Sequence, residues 1–154
     1  MTTQQVRNPF ERGPYLQLAT FCERVLHEAD GVISLIRIVD VINHVENRPD
    51  APPEMPAIRF PLTLVLCLKS GTALGRHDIS ITPEKPSGET LETVTTSIRL
   101  EGEARGANII SRIDIPYEME GLYWFHVRYD GELLTKIPLE LRYSRTVTSG
   151  ASRG

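Results

Sequence analysis

The sequence predicts an all-β protein, an antiparallel β-sandwich of about eight strands. Three observations predict it. First, Gly121 to Arg142 holds two alternating apolar runs around Asp130-Gly131, and Asp-Gly tolerates the positive φ that a tight hairpin turn needs. Second, Ile58, Phe60, Leu62, Leu64, Leu66 and Leu68 alternate with Arg59, Pro61, Thr63, Val65, Cys67 and Lys69, so they share a face only if the chain is extended. Third, turn signals recur at short intervals with no regularly interposed helices, which favours a sandwich over a βαβ fold.

Residues 1–13 are polar, with Pro9 and Gly13, and read as a flexible N-terminal arm. Tyr15–Thr20 reads as a short strand. Residues 21–29 are ambiguous. Thr20-Phe-Cys-Glu23 fits a capping box and Phe21, Val25 and Leu26 can share a helical face, which predicts a short helix near 21–29; alternatively the first strand continues to about Val25. Gly31–Ile42 is β-branched and apolar on both parities, the pattern of a central strand covered on both faces or of a bulged strand that swaps faces. Residues 43–56, with Pro49, Pro52, Pro53 and Pro56, form a loop. The long strand from Ile58 is interrupted near Pro61 and ends at a turn over Ser70–Gly75. A short strand carries Ile79 and Ile81 and stops at Pro83–Gly88. Another places Val94, Thr96, Ile98 and Leu100 inward, and Gly102 and Gly106 bracket the turn that follows. Ile109, Ile113 and Ile115 repeat the period before the closing hairpin. The reading is one domain over residues 14–142, with residues 143–154 a disordered tail.

The chain has 154 residues, enough for one real core, and a net charge of −3. The charge argues against nucleic acid as a partner, since no global basic field exists. A local patch of Arg99, Arg105 and Arg112 is the one counter-indication. No apolar stretch approaches membrane-spanning length and no secretory h-region opens the chain, so a cytoplasmic protein with no membrane partner is expected. Two cysteines, Cys22 and Cys67, are too few for a disulfide framework.

Chemistry is sparse. Cys22 and His27 are five apart, a poor match for one helical face or a metal pair. His27, His44, His77 and His126 are dispersed with no ligand spacing; His77 precedes Asp78, a pair able to hydrogen-bond across a turn. Neither a phosphate-binding loop nor a nucleophile elbow occurs. Asp40 ends an apolar strand, where it suits backbone capping better than catalysis. No catalytic residue, metal site or cofactor is expected. The strand Leu122–Tyr129 is more informative. Tyr123, Phe125, Val127 and Tyr129 should face the core. Leu122, Trp124, His126 and Arg128 take the outer face, with the composition of a binding hot spot. Such a Trp needs a cover, either the N-terminal arm or a partner chain.

The run Asp30-Gly-Val-Ile-Ser-Leu-Ile-Arg-Ile-Val-Asp40 after the strand near Leu16–Phe21, and the closing run Gly121-Leu-Tyr-Trp-Phe to Ile-Pro-Leu-Glu-Leu141, resemble those of a widespread bacterial family of uncharacterised proteins. The resemblance spans roughly residues 15–142. It implies a β-sandwich and no known activity, and it assigns no site residue. The closing hairpin also resembles the last strands of immunoglobulin-like sandwiches, which host many functions.

Two functions compete. The first is a non-enzymatic interaction module that binds another protein, or itself, through an edge strand or the Trp124 face. The second is a small-molecule-binding protein or enzyme with a polar site at one end of the sandwich, built from His77, Asp78, Asp40 or Cys22. A deep polar pocket holding at least two of these would favour the second.

Overall fold

The computed structural model describes residues 9–146. Among them lie nine strands and no helix: β1 (Tyr15–His27), β2 (Ile33–Val39), β3 (Val41–Glu46), β4 (Ile58–Arg59), β5 (Leu62–Glu84), β6 (Val94–Ile113), β7 (Pro116–Tyr117), β8 (Gly121–Tyr129) and β9 (Glu132–Arg145). All pairings are antiparallel except β3 with β9.

The sandwich is one ribbon of sheet folded over on itself. β5 pairs with β1 through Thr63–Lys69 and with β8 through Ile79–Glu84, while β6 follows it along both halves. The first sheet is therefore β2-β1-β5-β6, and the second is β6-β5-β8-β9-β3. The layers meet where the Phe21 ring of β1 packs edge-on against Phe125 of β8, centroids 4.7 Å apart. Leu62, Leu64, Leu66 and Leu68 pack with Tyr123, Val127, Leu139 and Leu141 in the same core, the parity the alternation predicts.

The corner corrects one reading. Ser70–Gly75 is not a turn that ends a strand, nor do Gly102 and Gly106 bracket one. β5 and β6 run through these residues side by side, with register shifts between Lys69 and Gly71 and between Gly71 and Leu74. Bulges bend paired strands without breaking the pair. Gly71 sits at φ 59°, and a Cβ there would strike the Arg12 carbonyl and the Tyr15 ring. The residues of the arm that are described, 9–13, dock here; the Thr72 amide donates to the Arg12 carbonyl at 3.1 Å.

Of the two readings of residues 21–29, continuation of the first strand holds and the short helix is absent. β1 continues to His27 because Cys22 to His27 pair residue by residue with Ile38 to Ile33. The Gly31–Ile42 run is likewise not one central strand. It is two edge strands in different sheets, switching at Asp40. Val94, Thr96 and Ile98 keep the inward parity, opposite Ile81, Ile79 and His77, yet Val94 is 50% exposed because β6 is an edge strand. β9 stays paired through Arg145, opposite Glu46, and so extends into the stretch read as tail.

Candidate interaction surfaces

The closing hairpin positions the residues expected to matter most. Asp130 and Gly131 take φ 45° and 85°, the two positive values a type I′ turn demands. This register buries Tyr123, Phe125 and Val127 completely and turns Leu122, Trp124, His126 and Arg128 outward. That outer face is furnished by its own neighbours. The Lys136 ammonium lies 4.7 Å from the centre of the Trp124 ring. His126 Nε2 contacts Glu84 Oε2 at 2.6 Å. Thr82 bonds Thr93 at 2.7 Å, and the Ser97 hydroxyl donates to Asp78 at 3.0 Å. Leu122 remains 40% exposed and Arg128 is half-buried. The cover over Trp124 seen among the described residues is Lys136 rather than residues 9–13; residues 1–8 lie outside the described part.

His77 and Asp78 do not bond to each other. His77 Nδ1 contacts Asp130 Oδ2 at 2.7 Å and Nε2 contacts the Leu74 carbonyl at 2.8 Å. Two acceptors facing both ring nitrogens fit the imidazolium, which donates from each. The hydrogen bond to Asp130 accordingly raises the His77 pKa above its usual 6.5. The Asp78 amide and His77 together hold the Asp130 carboxyl below its usual range. This cluster pins the hairpin tip to β5. Asp40 contributes its backbone, its carbonyl accepting from the Glu140 amide at 3.0 Å. Cys22 is buried in β1 and Cys67 half-buried in β5; both are free thiols whose pKa burial pushes up, which keeps them protonated. A cleft of about 550 Å³ is lined by Val39, Val41, Ile42, Phe60, Leu62 and the Glu23–Arg37 ion pair, and His77, Asp78, Asp40 and Cys22 do not line it. Arg99 and Arg112 stand on opposite halves of β6, and Arg105 is ion-paired with Glu101 at 3.0 Å, so the three make no shared patch. Among the described residues no group of three or more His, Cys, Asp or Glu could hold a metal ion, and no helix is long and apolar enough to cross a membrane.

The outer face of the first sheet has the opposite character, and sequence reasoning did not single it out. Directly opposed residues share a face. Ile38 lies opposite Cys22, Cys22 opposite Thr63, and Thr63 opposite Arg112. The next row is Thr20, Val65 and Ile110, and the next Leu18, Cys67 and Asn108. Cys22 and Val65 are fully buried but belong to this face, not to the core cluster. Ile38 at 62% and Ile110 at 39% stand open beside them. The signal was present: a run apolar on both parities, Ile33 to Val39, marks a sheet with two apolar faces.

Comparisons with known proteins give a family and little else. The chain spans 30% of the length of an alkylpurine DNA glycosylase from Pseudomonas fluorescens, solved bound to DNA containing an abasic site analogue. That likeness covers 80% of this chain at 15% identity and a TM-score of 0.43. An immunoglobulin-like protein from Pseudomonas aeruginosa is similar over 85% of this chain and 98% of its own, at 12% identity and a TM-score of 0.40. No curated protein matches in sequence. A family of unknown function, DUF6941, matches residues 17–142, and the chain belongs to it.

Proposed function

We propose that this protein is a non-enzymatic interaction module and that its contact surface is the outer face of the first sheet. The observation that supports this reading is a pair of open isoleucines, Ile38 and Ile110, that flank the buried Cys22 and Val65 on the far side of a sheet whose other side already forms the core. Antiparallel sheets of a sandwich ordinarily turn polar residues to solvent. Contiguous apolar surface on a folded domain marks a place where something else sits. The Trp124 face is the weaker candidate, because Lys136 and Glu84 already engage its central residues.

Capture from an extract of the native host, quantified by mass spectrometry, tests the proposal. Ile38→Glu and Ile110→Glu should each lower specific capture by tenfold or more, an effect of about 1.4 kcal/mol. Trp124→Ala should leave it within about twofold. Loss with Trp124→Ala and retention with both isoleucine variants would move the surface to the second sheet.

A further inference from the structure

We propose that the cleft lined by β2 and β3 binds a free α-amino acid with an apolar side chain. The site is separate from the contact surface above, since neither Ile38 nor Ile110 lines it.

Much of the lining is hydrocarbon that already belongs to the core. Ile42 and Leu62 are members of the core cluster, and Val39 and Phe60 pack against it. A volume of about 550 Å³ falls in the range of small-molecule sites and admits the bulkiest natural apolar side chain. Phe60 offers a ring for an aromatic one to pack against.

The polar side chains of the lining have bonding capacity to spare. Arg37 reaches Glu23 Oε1 through Nε alone, at 2.8 Å. Arg142, by contrast, engages Glu140 through Nε and Nη2 together, at 2.9 and 3.0 Å. The Arg37 Nη atoms, Glu23 Oε2 and the Asn43 amide thus bond to no other protein group among the described residues. Arg37 also holds φ 54° inside β2. That left-handed conformation is costly for a residue other than glycine, and such strain collects at binding sites.

The charge balance selects the ligand. One cation and one anion line the cleft, so its net charge is zero. A lone carboxylate that takes the Arg37 fork is repelled by Glu23, and a lone ammonium that takes Glu23 is repelled by Arg37. A ligand that carries both charges satisfies both groups. Because Arg37 and Glu23 already touch, the ligand's charges must be close together, as the carboxylate and ammonium on one α-carbon are. A peptide terminus carries only one of the two.

Isothermal titration calorimetry with three probes tests this: L-phenylalanine, hydrocinnamate, which has the carboxylate alone, and phenethylamine, which has the ammonium alone. Phenylalanine should bind with a dissociation constant of about 1 mM or below, and the other two at least tenfold more weakly. Arg37→Gln and Glu23→Gln should each weaken phenylalanine binding by tenfold or more. Glu23→Gln should at the same time strengthen hydrocinnamate binding, a gain that misfolding does not produce. Arg37→Gly suits the positive φ, so it should melt no lower than Arg37→Gln while binding phenylalanine as poorly. Absence of phenylalanine binding at up to about 10 mM overturns the proposal. Either single-charge probe binding as tightly as phenylalanine overturns the zwitterion. Phenylalanine binding that survives both glutamine variants overturns the placement in this cleft.

Discussion

Two tyrosines, Tyr117 and Tyr123, stack edge to face at 5.1 Å inside the core, and they differ in one respect. The Tyr123 hydroxyl donates to the Met119 carbonyl at 2.7 Å and accepts from its amide at 3.3 Å. The Tyr117 hydroxyl is buried with no partner among the described residues. A buried polar group left unpaired costs about 1–3 kcal/mol, while a made hydrogen bond contributes about 1 kcal/mol net. Tyr117→Phe should therefore leave stability unchanged or raise it by about 1 kcal/mol, and Tyr123→Phe should lower it by about 1 kcal/mol. Urea unfolding of both variants checks the contrast; equal losses would mean that Tyr117 is satisfied in solution. At this scale the sequence was most legible where a turn fixed the register. Asp130-Gly131 settles which parity of Leu122–Tyr129 enters the core, so Tyr123, Phe125 and Val127 were identifiable as buried. Val94, on an inward parity without a turn or an opposing layer to cover it, was not identifiable as exposed.

The hairpin of β8 and β9 is tied at its tip to β5 through His77, Asp130 and the Asp78 amide. The imidazole also stacks on Tyr129 at 4.9 Å. Because the folded pKa of His77 is raised, its contribution to stability is complete below the unfolded value of 6.5 and is lost as pH rises through the folded value. Asp130, whose pKa is lowered, contributes above its unfolded value of 3.8 and loses that contribution as pH falls through the folded one. The stability difference between wild type and His77→Gln should thus be largest near pH 5.5 and shrink by pH 8.5, as denaturant midpoints at the two values would show. A difference independent of pH would mean that His77 acts as a neutral ring. Elements were harder to read than residues because local signals compete with pairing. Thr20 and Glu23 satisfy a capping pattern, but the backbone of residues 22–27 is held by pairing with β2 instead. Gly71, Gly75 and Gly102 punctuate the sequence as turns do, and here their positive φ bends two strands that stay paired. A single residue, Asp40, divides one apolar run between two sheets, and no local pattern marks that switch.

The whole molecule is a sheet folded on itself, with a core on its inside and two unlike outer faces. The second sheet shows water a mosaic of ion pairs and hydrogen bonds; the first shows it Ile38 and Ile110 beside the buried Cys22 and Val65. The sandwich was legible from alternation, because period-two burial in β5 and β8 requires two layers to bury it. The character of the first outer face was not, since strand pairing decides which apolar residues line up across four strands separated by up to about 90 positions in sequence. The central claim is that this face, and not the Trp124 face, makes the contact. Methyl and indole NMR resonances, followed as the concentration of protein or of captured partner increases, test it most directly. The account predicts that the δ1 methyls of Ile38 and Ile110 shift or broaden, while the Trp124 indole and the Leu122 and Leu133 methyls stay fixed. Movement of the Trp124, Leu122 and Leu133 signals with Ile38 and Ile110 unchanged would contradict it.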